Sequence, residues 1–490
     1  MDITKSQRIW FNSEGAGSRV SASRRRSVRN LVFLALFVSG ISPSLFAATY
    51  YVATSGNNTN PGTQGSPWLT VQKAANTMVA GDTVIVASGN YDENVTTVRN
   101  GVQGSPITFI GVNRPRLAHF ALYHNWTTVD NFKFTGTYGQ YGMLAFYTNC
   151  NIRITRNLFY DVAYPYDAIT ATGPSGEFPP SDRYATNVYV AQNIITNTGK
   201  KGLWFWANNS LIESNYIDHT QDDAIDLWGD NNIIRRNIVT NLYDPRSITD
   251  PPNANHIDFI QTWAGDAKAH ATNNLIEGNL VINNSTAQMS NLEDDGYTNN
   301  FHHWTFRNNV YINNYAPNNV GISYTTWENN TFYKSPNTNS QSHYVPIFFL
   351  NQSGFHGVGG VITNNIFASC GFSNALTGLK LGYYGLNNVG FADYNYVCGL
   401  LPGLGQVIGF VELHGINGGN PLFANPDAGD VRLRTGSPAI GRGANLSGFF
   451  GADRDGRIRG SFWDIGACKY EAVAAPIAPT GLRVQPFGSP

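Results

Sequence analysis

The sequence contains few charged residues: Lys, Arg, Asp and Glu make up 13% of its 490 residues, against about a quarter in ordinary soluble domains. The charges nearly cancel, because 32 basic and 33 acidic residues leave a formal net charge of −1. A neutral chain has no electrostatic field to attract nucleic acid or an anionic membrane surface. We therefore expect no nucleic-acid partner and recognition of any charged ligand by a local site.

The sequence also has few cysteines and only one long apolar run. The four cysteines, Cys150, Cys370, Cys398 and Cys468, show no zinc-binding spacing, and the sequence does not decide whether Cys370 and Cys398 pair. An apolar run, LVFLALFVSGIS at 31–42, follows four arginines and ends at Pro43. It predicts a signal peptide over 1–47, with an N-terminal anchor as the alternative. We expect a secreted monomer, extracellular or periplasmic, without stable membrane insertion.

The sequence is instead rich in glycine and in an internal repeat. Phrases such as NIRITRNLFYD, NSLIESNYIDH and NNIIRRNIVTN place alternating apolar residues on both sides of an asparagine. These anchoring asparagines are Asn157, Asn193, Asn215, Asn237, Asn279, Asn309, Asn330 and Asn365, with weaker copies at Asn131 and Asn395. Their spacing has a base period of about 22 residues with insertions, which is typical of a parallel β-helix. Helical solenoids have longer periods and no two-residue alternation.

We therefore predict an all-β solenoid in which stacked asparagine amides satisfy each other's hydrogen bonds. The expected domain spans 48–470. It comprises an N-terminal cap and first coils (48–118, with the helix-like WLTVQKAANTMV), coils with the asparagine ladder (119–400) and a C-terminal closing segment (401–470). The Pro-rich residues 471–490 read as a linker.

Residues at equal distances after the anchors should form columns on one face of the solenoid. The predicted columns are Asp167, Lys201, Asp223, Asp258 and Asp295; then Thr170, Trp204, Asp226, Gln261 and Thr298; then Thr172, Trp206, Trp228, Trp263 and Asn300. Charged residues do not suit the apolar interior, so we expect this face to point outward. Its tryptophans either stack on sugar rings or pack beneath inserted loops.

Three acids of this face, Asp222, Asp223 and Asp226, lie so close that they need a cation, a shared proton or basic neighbours. Clustered oxygen ligands without cysteine or paired histidine favour calcium. The alternative is a solvated corner neutralised by Lys201, Arg235 and Arg236.

The segment TYYVATSGNNTNPGTQGSPW, with the residues after it as far as Tyr91, resembles the opening of secreted right-handed parallel β-helix proteins that act on polysaccharides. The phrase QDDAIDLW resembles SDDGxDLW of family 9 pectate lyases, which implies that Asp222, Asp223 and Asp226 bind calcium. Two phrases depart from that family. In KKGLWFW, Lys201 stands where the family has another calcium aspartate, and NANHIDFIQTW lacks the family's basic lysine.

The resemblance implies a secreted lyase that cleaves an acidic polysaccharide such as pectate by calcium-assisted β-elimination. The resemblance does not supply the base. From the chemistry of elimination, the base could be Lys201, if burial lowers its pKa, or His256; alternatively, protonated Lys201 could hold the substrate carboxylate and leave His256 as the base. The expected substrate contacts are Trp204, Trp206, Trp228, Trp263, Gln261, Arg246, Lys268 and Asp295.

Other functions stay open at this point. Asp222, Asp223 and Asp258 could serve as acid and base of a glycoside hydrolase, although the sequence lacks a Gly-His-Gly phrase. A uronate epimerase shares the first half of the elimination. A non-catalytic, carbohydrate-binding surface solenoid would use the tryptophans alone.

Overall fold

The computed structural model describes residues 47–472 apart from 137–141, 147, 149, 172–183, 244–256, 265–267, 285–287, 295, 297–299, 336–345, 350, 353–354, 371–382, 385–388 and 399–411. The predicted signal peptide and nearly all of the predicted linker lie outside these residues, so both stay predictions. Within the described part, no helix is long and apolar enough to cross a membrane.

Parallel strands stack into one sheet of thirteen strands, called the first sheet. Its strands are Thr49–Val52, Thr83–Val86, Ile107–Gly111, Thr127–Asp130, Arg153–Thr155, Tyr189–Ala191, Leu211–Glu213, Ile233–Arg235, Leu275–Glu277, Thr305–Arg307, Thr326–Glu328, Gly360–Thr363 and Val389–Asp393. Successive strands are one coil apart in the chain, as the repeat predicts.

A second sheet of 23 strands has two arms that meet at Arg116–Leu122, which pairs with a strand of each arm. The first arm comprises Asn90–Thr96, Arg116–Leu122, Lys133–Gly136, Leu158–Val162, Ile194–Thr198, Tyr216–Thr220, Ile238–Thr240, Leu280–Ile282, Val310–Ile312, Thr331–Tyr333, Ile366–Ala368, Tyr396–Cys398 and Ile416–Asn417. The second arm comprises Gly142–Phe146, Asp167–Ala171, Ala185–Thr186, Leu203–Asn208, Ile225–Trp228, Asp258–Thr262, Gln288–Leu292, Ala316–Val320, Ile347–Phe349 and Tyr383–Tyr384.

Short strand pairs complete the β structure: parallel Ala271–Thr272 with Phe301–His302, and antiparallel Asn351–Gln352 with Phe355–His356 and Phe423–Asn425 with Asp430–Leu433. The apolar residues of each coil stack in the interior. Tyr311, Phe332 and Phe367 of successive first-arm strands lie ring on ring, with centroids 4.7 and 5.2 Å apart. The all-β parallel β-helix prediction is confirmed by these stacked parallel strands. In the second arm, strands such as Ile225–Trp228 are buried on both sides.

The asparagine ladder is continuous from Asn157 through the predicted anchors to Asn395. Each backbone N–H and each Nδ2 donates to Oδ1 of the next anchor at 2.9–3.2 Å. The predicted N-terminal extension at Asn131 is wrong. The donor to Asn157 Oδ1 is the backbone N–H of Phe132. The side chain of Asn131 instead donates to the Gly111 carbonyl.

The two ends of the solenoid differ. The predicted N-terminal helix spans Val71–Thr77, where the Thr70 hydroxyl accepts from the Lys73 N–H, and its buried Val71, Ala74 and Ala75 face the first coils. At the other end, Ile416–Asn417 adds a last short strand. The chain then turns back along the flank, where a 3-10 turn (Pro426–Ala428) precedes a segment that packs on Val310, Ile312 and Ile366.

The turned-back segment is fixed by buried hydrogen bonds rather than by disulfides. Arg459 donates to Asn308 and to the Gly466 carbonyl, and Asn329 donates to the carbonyls of Asp464 and Gly466. All four cysteines are free, so Cys370 and Cys398 do not pair.

Candidate functional site

The second arm carries the predicted columns, and the strand register tests them directly. Trp204, Asp226 and Gln261 are register partners in successive strands, and Trp206 pairs with Trp228, as predicted. The fifth position of the columns is wrong. Gln288 lies opposite Asp258 and Asn291 opposite Gln261, in the places given to Asp295 and Thr298. Gln288 lies nine residues after Asn279, close to the eight residues that separate Lys201 from Asn193. Asp295 lies sixteen residues after the same anchor, so the similarity of its phrase to the earlier ones is misleading.

Lys201 lies at the centre of the acid cluster. It comes just before the strand Leu203–Asn208, and Asp222 and Asp223 come just before the stacked strand Ile225–Trp228. Because the strands are in register, the lysine reaches the acids of the following coil. Its Nζ lies 2.8 Å from Asp223 Oδ2, 2.8 Å from Asp226 Oδ2 and 3.2 Å from Asp222 Oδ2.

Hydrogen bonds connect this cluster to the coils on both sides. Asp167 Oδ1 accepts from the backbone N–H of Lys201 at 3.1 Å, and the Thr170 hydroxyl donates to Asp167 Oδ2 at 3.2 Å. In the other direction, Asp223 Oδ1 accepts from the backbone N–H of Asp258 at 2.8 Å. The cluster therefore extends over four coils, with acids contributed by three of them.

Burial governs the protonation of the acids. Asp226 is fully buried, and the loss of hydration raises its pKa well above the ordinary value, since the charge of Asp223 adds to an effect that Lys201 only partly offsets. The pKa of Asp222 is raised for the same reasons, and burial raises that of Asp167 to about 6. Burial therefore favours the protonated forms of these acids, and the charge of Lys201 favours their ionised forms.

The pKa of Lys201 moves in the direction opposite to that required of a base. Burial alone would lower it, but the charges of Asp223, Asp226 and Asp222 outweigh burial and raise the pKa well above the ordinary value. Lys201 is therefore held as an ammonium ion. This favours the alternative role, in which a protonated Lys201 meets the substrate carboxylate.

The described side chains do not fit a calcium ion at this position. Asp222, Asp223 and Asp226 each direct one oxygen at the Lys201 ammonium, which occupies the point where those oxygens converge. Among the described residues, no group of three or more His, Cys, Asp or Glu side chains is arranged to hold a metal ion. Calcium binding stays a prediction from the sequence pattern.

The tryptophan column points outward from the strands, but it is covered. Trp206 and Trp228 stack with ring centroids 4.4 Å apart, and their exposed fractions are 3% and 0%. Tyr184 lies against Trp206, with centroids 5.6 Å apart, and Trp263 meets Trp228 edge to face. Neighbouring residues therefore cover both rings, as the packing interpretation expects, and sugar stacking by these tryptophans stays a prediction.

The remaining predicted residues fall into three groups. Gln261 and Trp204 are buried beside Asp226, Trp263 is partly buried 6.0 Å from Lys201 Nζ, and Lys268 is exposed. Arg235 belongs to the first sheet, where it pairs with Glu213 rather than with the cluster. His256, Arg246, Asp295, Thr172 and Thr298 lie outside the described residues.

Asp167 is the member of the cluster that sequence reasoning left without a role. It stood in the first predicted column, directly before Lys201, so its position was available from the repeat. Its hydrogen bond to the Lys201 backbone depends on the close approach of two coils, which no single strand reveals.

Sequence comparisons match only short parts of the chain. Residues 54–98 match a family described as a protein of unknown function, DUF1565. The uncharacterized protein YwoF of Bacillus subtilis (strain 168) is 37% identical over 59 residues. That match covers 12% of this chain and 13% of the relative, so it relates only a small segment of the two proteins.

Structural comparisons extend over nearly the whole chain. A structure of XylC in complex with xylose superimposes with a TM-score of 0.53 at 12% identity, covering 86% of this chain and 99% of that one. The pectate lyase Pel9A superimposes with a TM-score of 0.52 at 16% identity, covering 88% and 98%. At these identities the likeness establishes the fold, a right-handed parallel β-helix.

Proposed function

We propose that this protein is a secreted enzyme that cleaves an acidic, uronate-containing polysaccharide by β-elimination. The observation that carries the proposal is a protonated lysine buried among carboxylates on the outer side of the second arm. Buried charge is costly to folding, so such clusters are more often retained for chemistry than for stability. The pectate lyase activity of a protein with this fold and the resemblance of QDDAIDLW support the same choice.

Elimination requires that the uronate carboxylate be neutralised, because its charge otherwise disfavours removal of the C5 proton. In the proposed reaction the Lys201 ammonium provides this positive charge. Its contact with Asp222 is the longest of the three and the most exposed, since the Asp222 side chain is 13% exposed and Asp226 is not exposed. A substrate carboxylate would replace Asp222 there, and His256 remains the candidate base.

A glycoside hydrolase is the second candidate, and the raised pKa of Asp222 favours it. Hydrolysis needs one carboxyl group that keeps its proton and one that is ionised. Asp222 and Asp223 are adjacent and contact the same ammonium, and the Asp222 side chain is the more exposed of the two, so Asp222 is the candidate acid of such a pair.

The deciding assay combines two readouts on a panel of polysaccharides that includes polygalacturonate, with calcium or with chelator. Elimination yields an unsaturated uronide that absorbs ultraviolet light together with new reducing ends, whereas hydrolysis yields reducing ends alone. Lys201→Met should lower the rate of elimination by roughly a hundredfold or more. Arg235→Met, which removes a cation from the first sheet, should leave it unchanged. If neither product forms on any polymer, cleavage is wrong and a binding solenoid or an epimerase replaces it.

A further inference from the structure

The acid cluster resembles a metal-ion site, but the cation at its centre is a lysine side chain of the protein itself. Three carboxylates converge, each through one oxygen, on a single centre at 2.8, 2.8 and 3.2 Å, and that centre is Lys201 Nζ. The ammonium donates a hydrogen bond to Asp223 Oδ2, and the oxygens of Asp222 and Asp226 lie at ion-pair distance from it. A second cation cannot approach the same oxygens while the lysine remains there.

The surroundings hold the lysine in this position. Its backbone N–H is bound to Asp167 Oδ1, and the backbone N–H of Asp258 fixes the other oxygen of Asp223. The side chain is 10% exposed, so displacing it would leave buried carboxylates without a counter-ion. Divalent cations that prefer oxygen would bind the same carboxylates if the ammonium were absent.

We infer that Lys201 is the resident cation of this site in place of a metal ion. The native protein should bind no divalent cation at these carboxylates, and removal of the ammonium should create a divalent-cation site at Asp222, Asp223 and Asp226. This inference extends the proposed function, since it identifies the positive charge of that site as part of the chain.

The test measures binding and thermal stability of the full chain with Ca²⁺ and Mn²⁺, each added alone. The native protein should show no bound ion at the cluster and no shift in melting temperature with either metal or with chelator. Lys201→Ala should melt at a lower temperature in chelator, and either metal should restore several degrees while binding at about one ion per chain. Adding Asp223→Asn to this variant should abolish the restored binding, and Arg235→Ala should gain none.

Two results would overturn the inference. One is stoichiometric binding of Ca²⁺ by the native protein that Asp223→Asn removes; this measurement decides the question even if Lys201→Ala does not fold. The other is a folded Lys201→Ala chain that binds neither metal. Neither readout depends on enzymatic turnover, so the inference can be confirmed even if the protein cleaves no polysaccharide. Conversely, a lyase that binds calcium at the cluster would refute this inference and leave the proposed function intact.

Discussion

The two sheets of this solenoid arrange their charges in different ways. On the first sheet, five charged side chains are register partners in successive strands and alternate in sign: Glu213, Arg235, Glu277, Arg307 and Glu328. Arg235 Nε donates to Glu213 and Arg307 Nε to Glu277, each at 2.7 Å, and most of these side chains are partly exposed. The second arm instead gathers its acids around the single ammonium of Lys201.

The difference separates scaffold from site. Alternating charges give every cation two acidic neighbours in an arrangement that solvent can screen, which adds little to stability and costs little. One buried cation among several acids is less favourable to folding than an apolar core would be. The first sheet shows that a solenoid can stack charges with little loss of stability. We therefore assign the arrangement in the second arm, which is less favourable to folding, to function.

The contrast between the two sheets would be refuted most clearly if Lys201→Met and Arg235→Met lowered the free energy of unfolding by the same amount. Both substitutions remove a cation and leave an unbranched apolar side chain. We expect Lys201→Met to lower the free energy of unfolding by about 3–5 kcal/mol, because it leaves buried carboxylates uncompensated. Arg235→Met should cost about 1 kcal/mol or less. Urea titration of the two variants measures both values.

Within the cluster, Asp223→Asn should be more damaging than Asp226→Asn. Asp223 accepts from Lys201 and from the Asp258 N–H, so loss of its charge should cost about 1–3 kcal/mol. Burial raises the pKa of Asp226 well above its ordinary value, which disfavours its ionised form, so the loss of its charge should cost less. Its replacement should change stability by less than about 1 kcal/mol. The reverse order in urea titrations would mean that the charge of Asp226 stabilises the fold more than that of Asp223.

Two glutamates of the first sheet should respond to pH with opposite signs. Burial raises the pKa of Glu328 from 4.5 to about 7, although Arg307 partly opposes it. The folded state therefore binds the proton more tightly, and stability falls as pH rises from 4.5 to 7. Glu328→Gln should be more stable than the native protein at pH 8 by about 1–2 kcal/mol.

Glu213 gives the matched contrast in the same experiment. Burial would raise its pKa, but hydrogen bonds from Tyr189 and Arg235 lower it below the ordinary value. Its ionised form therefore stabilises the fold above pH 4.5, and this contribution disappears as pH falls through the lowered value. Glu213→Gln should be destabilised at neutral pH and equal to the native protein in acid, as followed by thermal melting across pH.

The smallest effect is the response to salt. At 1 M ionic strength the screening length falls to about 3 Å, so exposed ion pairs lose most of their attraction. The deficit of Arg235→Met, a few tenths of a kcal/mol in size, should vanish in high salt. That of Lys201→Met should persist, because the carboxylates it leaves are buried. If the two variants depended equally on salt in their melting curves, the charges of the cluster would be as accessible to solvent as those of the first sheet.

The coils were predictable because their signal is repeated. Each anchor from Asn157 to Asn365 carries the same local pattern, so errors at one coil are corrected by the next. The proximity of Lys201 to Asp223 and Asp226 followed from the same period. Prediction failed in the coil after Asp258, where the phrase that begins at Asp295 resembles the earlier ones but Gln288 holds the register position. It also failed at Asn131, which precedes the ladder position by one residue.

Burial and protonation were beyond the reach of the pattern. Alternation assigns Trp206 and Trp228 to the outer side of a strand, but it does not show what covers that side. Tyr184, which lies against Trp206, belongs to an earlier coil and follows a long insertion. The pKa of Lys201 depends on three charges from the next coil, so it became evident only from their distances.

The asparagine ladder also has a polarity. Every anchor donates toward the C-terminal neighbour and accepts from the N-terminal one, so its amide dipoles point the same way along the solenoid. After Asn395 the acceptor is Glu412, whose two carboxylate oxygens take the backbone N–H at 2.8 Å and Nδ2 at 2.9 Å. An ionised carboxylate accepts hydrogen bonds but has no N–H or O–H group to donate to a further residue. Glu412 therefore ends the ladder, and its carboxylate faces the positive end of the row of amide dipoles.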